Sequence, residues 1–124
     1  LAQLHHIALG AAEPARLAEF YRQVLGLREL RRWEAESGEL RSVWLDLGGA
    51  ILMIERTSDV RERVDGIGRG LFLLALTMRA DEREHARVAL HRRGVEIESE
   101  TAYTLYFRDP DDNRVALSSY PLKD

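Results

Sequence analysis

The sequence predicts an α+β fold in which two paired βαβββ modules form a concave cavity. Three observations carry this. The run Leu73-Leu74-Ala75-Leu76 echoes His6-Ile7-Ala8-Leu9, both apolar and of strand length. The glycines Gly26 and Gly94, each placed to end a helix, lie 68 positions apart, and His6 and Leu73 lie 67 apart. A near-constant offset of this kind marks an internal repeat. Finally, each copy reads as strand, amphipathic helix and three strands. A four-stranded sheet with one helix leaves its other face open, and two such units can cover one another. The expected organisation is therefore one domain of two repeats, about 4–55 and 71–120, joined by a linker at 56–69.

The elements follow in order. Leu4 to Leu9 reads as the first strand. Its two histidines, His5 and His6, should point to opposite faces, because strand side chains alternate. Pro14 suits the first turn of a helix, where its missing N–H costs nothing. Leu17, Phe20, Tyr21, Val24 and Leu25 then recur at helical spacing and form one apolar stripe. Leu27 to Trp33 is the second strand, and Glu34 to Glu39 a polar loop. Leu40 to Leu47 and Ala50 to Glu55 are strands three and four, joined by the hairpin signal Gly48-Gly49.

If those glycines are the whole turn, Ser42 pairs with Glu55, Trp44 with Met53 and Asp46 with Ile51, and paired residues share a face. One face then carries Ser42, Trp44, Asp46, Ile51, Met53 and Glu55. The other carries Val43, Leu45, Leu47, Leu52 and Ile54, wholly apolar and suited to pack on the helix. The mixed face has an aromatic ring, a thioether and carboxylates, as ligand sites do.

The segment from Arg56 to Arg69 is polar and lacks a period, so it reads as a connection. Its Gly66-Ile67-Gly68-Arg69-Gly70 has neither the spacing of a phosphate loop nor a helix after it. Leu71 to Met78 is the fifth strand. Asp81 and Glu84 suggest an N-cap and its N3 partner for a second helix, with Ala86, Ala89 and Leu90 on its apolar face. Val95 to Glu98, Ala102 to Phe107 and Val115 to Tyr120 are the last strands. Asp109-Pro110-Asp111-Asp112-Asn113 between the final two has turn composition.

Composition bounds the function. The 124 residues suffice for a real core, and a net charge of −3 gives no reason to expect nucleic acid or an anionic membrane as partner. With no cysteine, disulfides and thiolate chemistry are excluded. No apolar run approaches the roughly 20 residues of a membrane-spanning helix. No signal peptide is visible, so the expected location is cytoplasmic.

The chain resembles the vicinal oxygen chelate superfamily, which includes glyoxalase I, extradiol dioxygenases, methylmalonyl-CoA epimerase, fosfomycin-resistance enzymes and bleomycin-resistance proteins. The resemblance is carried by Leu4-His5-His6-Ile7-Ala8-Leu9, by Phe20-Tyr21-Arg22-Gln23-Val24-Leu25-Gly26-Leu27, by Ile51-Leu52-Met53-Ile54-Glu55 and by Phe107-Arg108-Asp109-Pro110-Asp111-Asp112-Asn113. The turn departs from the family pattern once: Asp112 stands where Gly is usual, and Asp tolerates a left-handed backbone.

In metal-dependent members the ligands come from the first, fourth, fifth and eighth strands. The resemblance places His6 and Glu55 at the first two positions and Leu73 and Ala116 at the others. A divalent metal is held well by three or more N/O ligands. A residual pair, His6 and Glu55, falls short of that.

The expectation is therefore a protein that binds a small, partly apolar or aromatic molecule without a complete metal site and without a cofactor. The expected ligand-binding residues are His6, Trp44, Met53, Glu55, Leu73, Ala116 and Tyr120, and the expected assembly is a homodimer. The alternative is an enzyme of the superfamily, a lyase, isomerase or dioxygenase, using a divalent metal at an atypical site or metal-free acid/base chemistry at His6 and Glu55.

Overall fold

The computed structural model describes residues 1–122. The chain falls into two compact units, Leu1–Val60 and Arg61–Asp124. The first contains β1 (His6–Ala11), α1 (Pro14–Gln23), β2 (Glu29–Glu34), β3 (Leu40–Asp46) and β4 (Ile51–Arg56). The second contains β5 (Leu74–Thr77), a short 3-10 turn (Ala80–Glu82), α2 (Arg83–Arg92), β6 (Ile97–Glu100), β7 (Thr104–Arg108) and β8 (Arg114–Ser118). The two sheets share one topology, β1-β4-β3-β2 and β5-β8-β7-β6. In each, the first and last strands run parallel and the other pairs antiparallel. The fold is α+β with a repeated βαβββ module, as the sequence predicts.

In the first unit the hairpin register is the one expected. Ser42 lies opposite Glu55, Val43 opposite Ile54, Trp44 opposite Met53, Leu45 opposite Leu52 and Asp46 opposite Ile51. Gly48 and Gly49 both take positive φ, 77° and 110°, where a side chain would be strained. Leu47 N–H donates to the Ala50 carbonyl at 2.8 Å and closes the turn.

Val43, Leu45, Leu52 and Ile54 are all 0% exposed, beneath α1. The helix contributes Leu17, Ala18, Phe20, Tyr21 and Val24 to the same layer. Each of the larger aliphatic and Phe side chains stabilises by about 1.5–3 kcal/mol through burial. The helix ends as its sequence implies. Gly26 is at φ 73°, and Leu27 N–H reaches back to the Tyr21 carbonyl at 3.1 Å, satisfying a terminal acceptor.

The second unit packs Met78, Ala86, Leu90, Leu105, Phe107, Val115 and Leu117 in the same manner. Its helix start differs from expectation. The reciprocal contact is made two residues earlier, where Arg79 N–H donates to the Glu82 carboxylate at 2.9 Å. Asp81 instead receives two bonds from the Arg79 guanidinium, 3.0 and 2.7 Å. The flexible arginine takes the carboxylate that composition assigns to the cap. Strand β5 is shorter than the apolar run Leu71–Met78, with Leu71 largely exposed ahead of it.

The turn before β8 is organised by Asp109, which is 4% exposed. Its Oδ1 accepts from the N–H groups of Asp111 (2.9 Å) and Asn113 (3.0 Å), and its Oδ2 from Asn113 Nδ2 (2.9 Å). Asp112 sits at φ 65°, the left-handed geometry that an Asp at a glycine position must adopt.

The polar connection has no regular secondary structure over 57–73, yet part of it is tied down. Arg108, only 12% exposed at its side chain, donates to the carbonyls of Val64 and Asp112, both at 2.9 Å, and to Glu98 at 3.2 Å. Arg63 adds bonds to Asp65 (2.7 Å) and Glu98 (3.1 Å).

Candidate functional site

Covering one face of the first sheet with α1 leaves the other face for the remaining side chains. Alternation along each strand decides which they are. They are His6, Ala8 and Gly10 on β1, Ile51, Met53 and Glu55 on β4, and Ser42, Trp44 and Asp46 on β3. On β2, Arg31 lies opposite Trp44 and Trp33 opposite Ser42, which brings both to this face.

The two indoles meet edge to face with centroids 6.1 Å apart, and the Arg31 guanidinium lies 4.0 Å over Trp33. Trp33 is 43% exposed. Edge-to-face aromatic pairs and cation–π stacking are each favourable in their own right.

A chain of hydrogen bonds crosses the same face. Trp44 Nε1–H donates to Ser42 Oγ at 3.0 Å, and Ser42 O–H donates to Glu55 Oε1 at 2.9 Å. Ser42 is 4% exposed, so its hydroxyl is buried with both roles filled. At the hairpin end Asp46 Oδ1 accepts from Gly48 N–H at 2.7 Å, and its Oδ2 faces Arg28 Nη2 at 3.4 Å. Those bonds hold the Asp46 carboxyl below the usual aspartate range, the Gly48 N–H contributing most.

His6 and Glu55 are not brought together. In the parallel β1–β4 pair, His6 lies opposite Ile51 and Glu55 opposite Gly10. Four residues separate the two levels, about 13 Å of strand at ~3.3 Å per residue. His6 instead bonds its neighbour: the Nδ1 atoms of His5 and His6 are 2.8 Å apart. One must donate and the other accept, so the two rings hold this contact only while one Nδ1 lacks a proton. Both histidines are exposed, because His5 precedes the first paired residue and escapes the alternation expected of it.

The second sheet repeats the arrangement with different chemistry. Thr77 lies opposite Ser118, and Thr104 opposite Ser118 on the other side. The Thr104 and Ser118 hydroxyls bond at 2.9 Å, at the level where the first unit has Ser42 and Glu55. By this pairing the counterpart of Glu55 is Ser118, and the counterpart of Ala116 is Met53. Leu73 is part-buried and Ala116 is 1% exposed. Tyr120 lies beyond β8, 64% exposed, with its ring edge to face on Tyr103 at 5.2 Å. Arg114 stacks over Tyr106 at 4.6 Å.

The positions where the resemblance places metal ligands divide between the two units. In the first unit His6 and Glu55 stand at different levels of the sheet, with the Met53 thioether between those levels; in the second, Leu73 and Ala116 offer only hydrocarbon. Among the described residues, no three His, Asp or Glu side chains converge.

The sequence reading missed Trp33, Arg31 and the bridging role of Ser42. β2 reaches β3 through two register shifts, between Glu29 and Arg31 and between Trp33 and Glu34. An alternating pattern does not reveal such bulges, and the only hint was a tryptophan beside a polar loop.

Two four-stranded mixed sheets, each built as strand, helix and three strands, define an α+β protein of repeated βαβββ modules. The chain belongs to the Glyoxalase/Bleomycin resistance protein/Dioxygenase superfamily, whose sequence profile matches residues 3–117. Among solved structures, it is similar to the fosfomycin resistance protein FosX of Listeria monocytogenes in complex with Mn(II) and 1S,2S-dihydroxypropylphosphonic acid. The TM-score there is 0.82 at 18% identity, covering 98% of this chain and 95% of that one. FosX of Mesorhizobium loti gives 0.79 at 16% identity, with 98% and 94% covered. A glyoxalase/dioxygenase of Nostoc punctiforme gives 0.77 at 21% identity, with 93% and 88% covered. These likenesses establish the fold. No curated protein matches the chain in sequence.

Proposed function

We propose that this protein binds a small, partly apolar or aromatic molecule on the helix-free face of its first sheet, and does so without a catalytic metal. The observation that carries the reading is the Trp33–Trp44 pair beside Met53, with Glu55 and Ser42 as the polar group at its edge. A planar ligand gains stacking area there, and the carboxylate fixes its orientation. The hydrocarbon side chains at Leu73 and Ala116 support the absence of a resident metal. We further propose a homodimer located in the cytoplasm, the former checked by sedimentation equilibrium.

The alternative is an enzyme of the superfamily, favoured by the Mn(II) in the FosX complex to which the fold is similar. The chain has two tryptophans, and both lie on this face. Tryptophan fluorescence, excited where the four tyrosines do not absorb, therefore reads this face alone. Titration with 2-naphthol in the presence of EDTA is expected to quench it saturably, and Trp44→Phe to weaken the binding. Quenching that appears only when Mn(II) is added would favour the enzyme.

A further inference from the structure

The face sets a part-buried carboxylate beside ring surface, and that constrains what it holds. We infer that its ligand carries a positively charged nitrogen beside the aromatic body, with Glu55 as counter-ion. This rests on the reading of the face as a ligand site.

The hydrogen bonds run in one direction. Trp44 Nε1–H is committed to Ser42, and the Ser42 O–H is committed to Glu55 Oε1. The Trp44 N–H thus orients the Ser42 hydroxyl, which in turn points at the carboxylate. Among the described residues, Glu55 Oε2 has no hydrogen-bond partner and Glu55 makes no ion pair. It is part-buried, so its charge is less well screened by water than that of a surface glutamate.

The other charged groups on this face are already engaged. On β3, Asp46 is held by Gly48 N–H and faces Arg28. On β2, the Arg31 guanidinium is stacked on Trp33. On β1, His6 is bonded to His5. That leaves Glu55 as the carboxylate without a counter-ion, next to Trp44 and Met53 through the β3–β4 pairing.

Arg31 also demonstrates the second element of recognition, since the face of Trp33 takes a planar cation at 4.0 Å. A carboxylate plus indole rings recognises an alkylammonium or guanidinium group by charge and by the ring quadrupole together. An anionic ligand placed beside Trp44 would meet Glu55 with the Trp44 N–H already committed to Ser42.

The test compares three probes of similar size: benzyltrimethylammonium, the neutral neopentylbenzene and the anionic phenylacetate, each followed by tryptophan fluorescence and calorimetry. The cation is expected to bind roughly tenfold more tightly than the neutral probe. Glu55→Gln, which keeps an acceptor for Ser42, is expected to weaken binding of the cation far more than that of neopentylbenzene, so that the preference disappears. Thermal melts of the variant establish that it is folded. Equal binding of cation and neutral probe, or tighter binding of phenylacetate, would overturn the inference and leave the aromatic-site reading standing. If none of the three probes, nor 2-naphthol, binds, both fall.

Discussion

Ser42 decides the local chemistry of the first sheet at the level of one hydroxyl. It is buried, receives the Trp44 N–H and donates to Glu55. Ser42→Ala leaves the indole N–H and one carboxylate oxygen without their partner, and should lower stability by about 1–3 kcal/mol. Urea denaturation would measure it, and Ser42→Thr, which retains the hydroxyl, should recover part of the loss.

Glu29 supplies the pH dependence. Hydrogen bonds from Arg32, at 2.7 and 3.1 Å, hold its carboxyl below the ordinary value of 4.5. A carboxyl with a lowered folded pKa stabilises fully above its unfolded value, and the contribution is lost as pH falls through the folded one. The stability difference between the native protein and Glu29→Gln should therefore be constant near neutrality and shrink below pH 4.5. The pair is partly exposed, so that difference is less than about 1 kcal/mol and falls with salt. Neither Ser42 as a bridge nor Glu29 as a bonded carboxylate was legible in the sequence. Each depends on a partner from another strand or on a register shift.

Among the elements, the β3–β4 hairpin was the most legible. A two-glycine turn fixes register, and a register fixes both faces. Four apolar positions on one side then had to lie under the helix, and Val43, Leu45, Leu52 and Ile54 do so. Leu45→Ala should open a cavity there and destabilise by about 2–5 kcal/mol in a calorimetric melt. β2 was less legible because two bulges interrupt its pairing, and with it went the Trp33–Trp44 contact.

The connection after β4 was read from composition as free chain, but its arginines and acids find partners. Arg108 reaches the Val64 and Asp112 carbonyls and Glu98 while mostly buried. Arg108→Gln should loosen residues 63–65. Hydrogen exchange at Asp65 and Gly66 should rise by roughly tenfold or more, with little change in the first unit, if those bonds contribute about 1.5–3 kcal/mol.

For the whole molecule, the repeat was legible in one short echo and a pair of glycines, because the same module needs the same punctuation. Gly26 and Gly94 end their helices at φ 73° and 70°. The repeat also clarifies the site. Equivalent levels of the two sheets hold Glu55 and Ser118, or Met53 and Ala116. The sequence alone left His6 and Glu55 as a residual pair, because the parallel register of β1 and β4 is not written in either strand.

Leu73→His together with Ala116→Glu would add two ligands to the second unit, one just ahead of β5 and one on β8, and should raise affinity for Mn(II) or Ni(II) above that of the native protein. Elemental analysis and metal titration calorimetry on the native protein test the central claim most directly. The account predicts no stoichiometric nickel, zinc, iron or manganese after purification, and no tight site on titration. One tightly bound metal per chain, lost on His6→Ala or Glu55→Ala, would contradict it.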